Sequence, residues 1–325
     1  MNPLVSIIIP NYNREHLIGE TLKSIRAQTY THWECIVVDD HSTDASWSIV
    51  DDFCKQDKRI QQVKRPQELL KGACSCRNYG FAISKGEFIN WFDSDDLMAA
   101  NKLELQVLEL VTNNTDLVVC RTQFFEENID NLKHYWNSHF TPKFDPLTDF
   151  ITFRLAWSTN APLWRKSFLE KKELFNISLS SSQDWEFHVR LFCDVSKNTV
   201  LRDVLVFNRM HNSRIGVENT INRKVVRFNS RVLAFNKICE RRLINVEIKK
   251  YFNSFFMNQL KQINTFTDIQ FKELVSLIKE NTKKKDWYFS VYPRIVLYYL
   301  IFKISGKRLF TYKFLIKQVV NDNRK

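Results

Sequence analysis

Apolar residues along the first half of the chain fall into two alternating rhythms. "LVSIII" (4–9) is a continuous apolar run, as in a strand buried on both faces. From Arg14 onward, Ile18, Leu22 and Ile25 recur at helical spacing. "WECIVV" (33–38) predicts a second strand. Trp47, Val50 and Phe53 share one face of the next helix, which Asp44 is placed to cap. Ile60 and Val63 mark a short third strand, and a helix runs through Arg77 to Ser84. "EFINWF" (87–92) reads as the fourth strand, Leu103, Val107, Leu110 and Val111 as a helical stripe, and "DLVVC" (116–120) as the fifth strand. Alternation with short links predicts an α/β sandwich around a mostly parallel sheet.

Residues 123–160 lose this regularity and are rich in aromatics, among them Phe124, Phe125, Tyr135, Trp136, Phe140 and Phe144. A short strand-like "APLW" (161–164) follows. "SSSQDWEFHVRLF" (180–192) predicts a helix capped by Ser181 or Ser182, burying Trp185, His188, Val189 and Phe192, with Asp184 in its first turn. After Gly216 the pattern is nearly all helical, with stripes at Val225, Phe228, Val232, Phe235 and Cys239, and at Phe271, Leu274, Val275 and Ile278.

Composition narrows the function classes. The chain has 325 residues and only 6 Gly, none placed as G-x-G or in a G-x-x-x-x-G-K setting, which argues against a dinucleotide fingerprint and a P-loop. Seven cysteines without zinc-site spacing fit free thiols in a reducing compartment. The opening "MNPLVSIIIP" has no basic n-region, and no stretch reaches the ~20 apolar residues of a membrane span. A cytoplasmic protein is therefore expected. Charge divides the chain. Residues 1–215 hold 25 Lys and Arg against 28 Asp and Glu, net −3, whereas residues 216–325 hold 23 against 8, net +15. That break suggests a domain at 1–215 (donor side about 1–120, acceptor side about 121–215) and a basic helical region at 216–325.

The candidate chemistry sits where strands end. Asn11, Tyr12 and Asn13 follow the first strand, Asp39 and Asp40 the second, and Asp93, Asp95 and Asp96 the fourth. In a wound sheet these share one edge, where ligands bind. An isolated D-x-D-D also reads as a solvated turn in which Asp95 or Asp96 caps the next helix. Its place after a buried strand favours a divalent cation, Mg²⁺ or Mn²⁺, held by one or two carboxylates with substrate phosphates.

Four stretches, "VSIIIPNYNRE", "VVDDHSTD", "CRNYGFAISKGEFINWFDSDD" and "QDWEF", occur in an order and spacing that resemble the inverting family 2 glycosyltransferases with the GT-A fold, over residues 4 to about 215. The resemblance implies a metal-dependent transfer of sugar from a nucleotide-diphosphate donor, of UDP type, to a glycan or lipid-linked hydroxyl. It further implies that Asp40 reads the base, with Pro10 and Tyr12 lining that pocket. Arg77 would lie close to the nucleotide, Asp95 near ribose and metal with Asp93 also on the nucleotide-sugar, Asp96 would be the principal metal ligand and Asp184 the catalytic base. His211 resembles a position near the diphosphate and is a further metal candidate. Gln183 stands where a Glu commonly precedes the base, Cys76 where an Ala is usual, and His41 where a Gly is. Two other readings stand beside this one: a catalytically idle sugar-nucleotide binding module, and a nucleotidyltransferase on a related fold. In the basic region, "KKKDWYFSVYPRIVLYYLIFK" (283–303) suits either a packed helical subdomain or, through 283–325, contact with an anionic membrane surface. No motif for reading nucleic acid is present, so none is expected as a partner.

Overall fold

The computed structural model describes residues 2–136, 140, 142–210 and 221–262. Strands β1 (Val5–Asn11), β2 (Trp33–Asp39), β3 (Ile60–Lys64) and β4 (Phe88–Trp91) alternate with helices α1 (Ile18–Arg26), α2 (Ser46–Gln56) and α3 (Ala73–Ile83). They lie in the order β3-β2-β1-β4, all parallel. Every residue of β1 is buried, the physical origin of its unbroken apolar run. Helix α3 lies so tightly on β1 that a Cβ at Gly80 would collide with the Ile8 side chain.

The second half comprises β5 (Leu97–Met98), α4 (Lys102–Thr112), β6 (Leu117–Glu126), β7 (Asn128–Tyr135), α5 (Pro146–Ile151), β8 (Leu163–Arg165), α6 (Lys166–Leu169), α7 (Gln183–Phe192), β9 (Asn198–Met210), α8 (Ile221–Glu240) and α9 (Val246–Gln262). The sheet continues β4-β8-β6-β9-β5, with β7 paired to β6. Here it is mixed rather than mostly parallel. β8 runs antiparallel to both β4 and β6, β5 is antiparallel to β9, and β6 and β9 are parallel. The stretch expected to be irregular after residue 123 holds a β-hairpin. Its turn places Glu127 at φ 60 without glycine or proline, so the usual hairpin signal is missing.

Three local expectations need correction. Val111 is 51% exposed, and the buried face of α4 is instead completed by Lys102 and Gln106. Ser182 adopts a left-handed φ of 54° and its side chain does not cap α7. Asp44 accepts from the backbone N–H of Ser46 at 2.9 Å and of Glu15 at 3.0 Å, so it ties the start of α2 to the loop after β1 although it is not the cap residue.

The stripe on α8 is confirmed at Phe228, Val232 and Phe235, which join Ile248 and Phe252 of α9 in the same hydrophobic cluster as the sheet core. None of the seven cysteines is in a disulfide. Among the described residues, no helix is long and apolar enough to cross a membrane. His211, the stripe from Phe271 to Ile278, the charge boundary near residue 215 and the basic segment 283–325 lie outside the described residues.

His188 is the exceptional core residue. It stacks on Trp164 with ring centroids 6.0 Å apart and meets Phe150, Trp157 and Phe187, while neither ring nitrogen has a hydrogen-bond partner. Burial, reinforced by the Arg77 charge, pushes its pKa down to about 3. Below pH ~6.5 the unfolded chain takes up a proton that the folded chain refuses. Stability from this group should therefore fall by about 2 kcal/mol between pH 7 and 5. Urea unfolding of His188→Phe across that range should lose this part of the pH dependence.

Candidate functional site

Parallel register places the carboxyl ends of β1, β2 and β4 on one edge. Asn11 stands opposite Asp39, and Ile8 opposite Trp91. The polar residues that follow each strand share this edge. Asn11 Nδ2 donates to Asp39 Oδ1 at 3.1 Å, and Asp39 also accepts from the Ser42 N–H at 2.9 Å and the Ser42 hydroxyl at 2.6 Å. Asp39 thus shapes the turn. His41 sits at φ 61°, a region glycine enters freely and histidine tolerates better than most residues.

Asp40 is buried in an ion pair with Arg65, Nε to Oδ1 at 2.5 Å, and Arg65 also reaches the carbonyls of Pro66 and Leu69. Nothing in the sequence around Arg65 marks this role, because the pair forms only when β3 aligns beside β2. Pro10 is buried within β1. Tyr12 is exposed at the rim, with Lys71 Nζ 4.0 Å from its ring centroid.

The acidic turn after β4 is clamped by a residue the sequence did not single out. Asn160, fully buried, accepts from the Asp93 N–H at 2.8 Å and donates from Nδ2 to Asp96 Oδ2 at 2.5 Å. The Arg209 N–H donates to Asp96 Oδ1 at 2.7 Å, and the Asp96 carbonyl accepts from Thr21 at 2.9 Å. Asp96 is therefore buried and bonded at both carboxylate oxygens. Beneath the turn, Asn90 donates to the carbonyls of Asn160 and Pro162 and accepts from Lys102 Nζ at 3.2 Å. Burial pushes the Lys102 ammonium down to about 8.

Asp93 and Asp95 occupy the rim. Arg77 Nη2 bonds Asp93 Oδ1 at 2.7 Å, and Arg14 Nε lies 3.4 Å from Asp95 Oδ2. Burial, joined by repulsion from Asp95 and Asp184, raises the Asp93 carboxyl pKa although Arg77 opposes it. Asp184, in the first turn of α7, is thus within electrostatic reach of both Asp93 and Arg77. Arg77 is itself buried, and its Nε and Nη1 have no hydrogen-bond partner. The fold brings Arg77, Asp93, Asp95, Asp96 and Asp184 together, with Asp40, Pro10 and Tyr12 at the adjoining strand ends.

This arrangement offers repelling carboxylates beside an under-bonded guanidinium. Among the described residues no group of three or more His, Cys, Asp or Glu is disposed to hold a metal ion by itself. The donor set fits a Mg²⁺ or Mn²⁺ shared with phosphate oxygens, where one or two carboxylates suffice. Truncating the clamp should loosen the turn. Asn160→Ala would leave the Asp93 N–H and Asp96 Oδ2 without their buried partner, at about 1–3 kcal/mol each. Urea unfolding should show a loss of about 2–4 kcal/mol, and a loss under about 0.5 kcal/mol would show that the amide does not hold the turn.

Residues 6–170 match Glycosyl transferase family 2. The UDP-Glc:alpha-D-GlcNAc-diphosphoundecaprenol beta-1,3-glucosyltransferase WfgD of Escherichia coli is 39% identical over 125 residues, 38% of this chain and 48% of that protein, so the match spans about half of that relative's length. The crystal structure of S. aureus TarS 1-349 superposes with a TM-score of 0.70 at 17% identity, covering 98% of this chain and 91% of that one. The same protein in complex with UDP superposes with a TM-score of 0.68 at 18% identity. A mannosyltransferase from Pyrobaculum calidifontis, in complex with GDP-Man and Mn²⁺, aligns with a TM-score of 0.53 at 17% identity over 98% of this chain and 80% of that one. The structural likenesses show the fold, and the sequence match shows the lineage: the chain belongs to glycosyl transferase family 2 and adopts the GT-A fold.

Proposed function

We propose that this chain transfers a sugar from a nucleotide-diphosphate donor, of UDP type, to a hydroxyl of a glycan or lipid-linked acceptor, with inversion at the anomeric carbon, in surface-polysaccharide synthesis. The observation that carries this reading is the Arg77–Asp93 pair at the carboxyl edge of the sheet, bonded at 2.7 Å, with Asp184 in the first turn of α7 within electrostatic reach of both. The UDP complex of TarS and the UDP-glucose and diphosphoundecaprenol in the WfgD name support the donor and acceptor classes.

Asp40, oriented by Arg65, accepts from the base N–H, with Pro10 and Tyr12 bounding that pocket. Arg77 turns its two unpartnered N–H groups toward the diphosphate. Asp96 and Asp95 would hold the cation, with Asp93 beside them and His211 as a further ligand candidate. When bound, the cation neutralises charge developing on the leaving diphosphate.

Asp184 accepts the proton of the acceptor hydroxyl as its oxygen bonds to the anomeric carbon. The bond from that carbon to the diphosphate oxygen breaks on the opposite face. One displacement inverts the centre and releases nucleoside diphosphate.

Asp184→Asn should lose transfer by about 10²–10⁴-fold while UDP with Mn²⁺ still raises the melting temperature as in the wild type. Transfer at the wild-type rate would remove Asp184 as the base. Proton NMR of the product should show inverted anomeric configuration, and retention would exclude a single displacement.

A further inference from the structure

The segment between α6 and α7 lies just past the residues matched to the family, and both flanking helices of the site grip it. Asn78 of α3 bonds the Phe175 backbone twice. Its Nδ2 donates to the Phe175 carbonyl at 2.9 Å, and its Oδ1 accepts from the Phe175 N–H at 3.0 Å. Arg190 of α7 donates to the carbonyls of Glu173 and Leu174. The Phe175 ring, 3% exposed, stacks on Phe187 of α7 with centroids 4.0 Å apart. It also meets Trp91, at the end of β4, edge to face at 5.1 Å. The Arg77 guanidinium lies over this ring, 5.1 Å from its centroid.

Other arginines of this fold are held differently. Arg190 bonds through Nε, Nη1 and Nη2 to Glu186 and the two carbonyls. Arg209 bonds through the same three nitrogens to Asp95, Glu127 and Glu20. Arg77 bonds through Nη2, to Asp93 at 2.7 Å, while its Nε and Nη1 have no hydrogen-bond partner. Its backbone is anchored from β4, because Trp91 Nε1 donates to the Arg77 carbonyl at 3.2 Å. The ring supplies the rest of the support. An aromatic face attracts a cation electrostatically and does so without occupying the N–H groups that an anionic ligand would need.

We infer that Phe175 is the positioning residue of Arg77: its ring, hung from Asn78 and stacked on α7, holds the guanidinium beside Asp93 with two nitrogens left for the donor diphosphate. This rests on the reading of Arg77 as a diphosphate ligand. Leucine would offer apolar bulk at this place but no negative face beneath the cation. The same ring contacts Phe187, which stands three residues after Asp184 in α7. One side chain thus spaces the donor arginine from the helix that carries the proposed base.

The test measures UDP affinity with Mn²⁺ by isothermal titration calorimetry, and uridine affinity by ligand-observed NMR. It compares the wild type, Arg77→Gln, Phe175→Leu, the double variant of these two, and a trifluorinated Phe175 ring introduced by nonsense suppression. Fluorine withdraws negative charge from the ring face at nearly constant shape. Phe175→Leu and the fluorinated ring should each weaken UDP by about three- to thirtyfold, with uridine affinity within about twofold of the wild type. In the Arg77→Gln background, Phe175→Leu should cost less than about a further twofold, because the two residues act as one unit. Where Arg77→Gln loses UDP, two results overturn the inference alone: wild-type UDP affinity with the fluorinated ring, or an undiminished loss from Phe175→Leu in the Arg77→Gln background. A matching loss of uridine also overturns it, since the ring would then shape the whole site rather than Arg77. Wild-type UDP affinity in Arg77→Gln overturns the reading of Arg77 and the inference together. If Phe175→Leu does not fold, the fluorinated ring decides by itself.

Discussion

Three carboxylates within four residues repel one another, and the turn that carries them is held mainly by neutral groups. Asn160 offers its amide oxygen to the Asp93 N–H and its amide nitrogen to Asp96 Oδ2, while the Arg209 backbone takes the other Asp96 oxygen. Dipoles thus hold the base of the turn at Asp96, while at the rim Arg77 pairs with Asp93 at 2.7 Å and Arg14 lies 3.4 Å from Asp95.

The same economy of charge recurs around the edge. Arg77 gives one nitrogen to Asp93 and leaves two buried N–H groups without partners. Buried polar groups in native proteins are nearly always hydrogen-bonded, and these nitrogens are an exception, with the guanidinium 5.1 Å from the Phe175 ring centroid. Arg65 does the opposite, closing on Asp40 and two carbonyls so that the carboxylate is fixed. Lys102 sits beneath the turn and donates to Asn90 at 3.2 Å, with its pKa pushed down to about 8 by burial.

Helices α7, α8 and α9 meet around one tryptophan. Trp185 meets the Arg231 guanidinium and the rings of Tyr251 and Phe252, and Trp185 and Phe252 belong to the same hydrophobic cluster as the sheet core. Residues after the charge break thereby reach the first turn of α7. His188, one turn further along, is held neutral in an aromatic box and contributes shape rather than charge.

The sequence by itself determined the parallel half of the sheet, because a strand covered on both faces must be apolar throughout and its ends must be polar. It thereby placed Asp40, the Asp93–Asp96 turn and Asn11 on one edge, and α7 with Asp184 in its first turn. Only the tertiary structure decided the antiparallel half, since β8 is three residues long and the β6–β7 turn carries no glycine or proline. It also decided which charges meet. Arg65 and Asp40 are 25 residues apart, Asn160 and Asp96 are 64, and Arg231 reaches the Trp185 ring from a separate helix. Periodicity reports the environment of a residue along its own element. Pairing across elements depends on how sheets and helices close in space, and no local pattern records that.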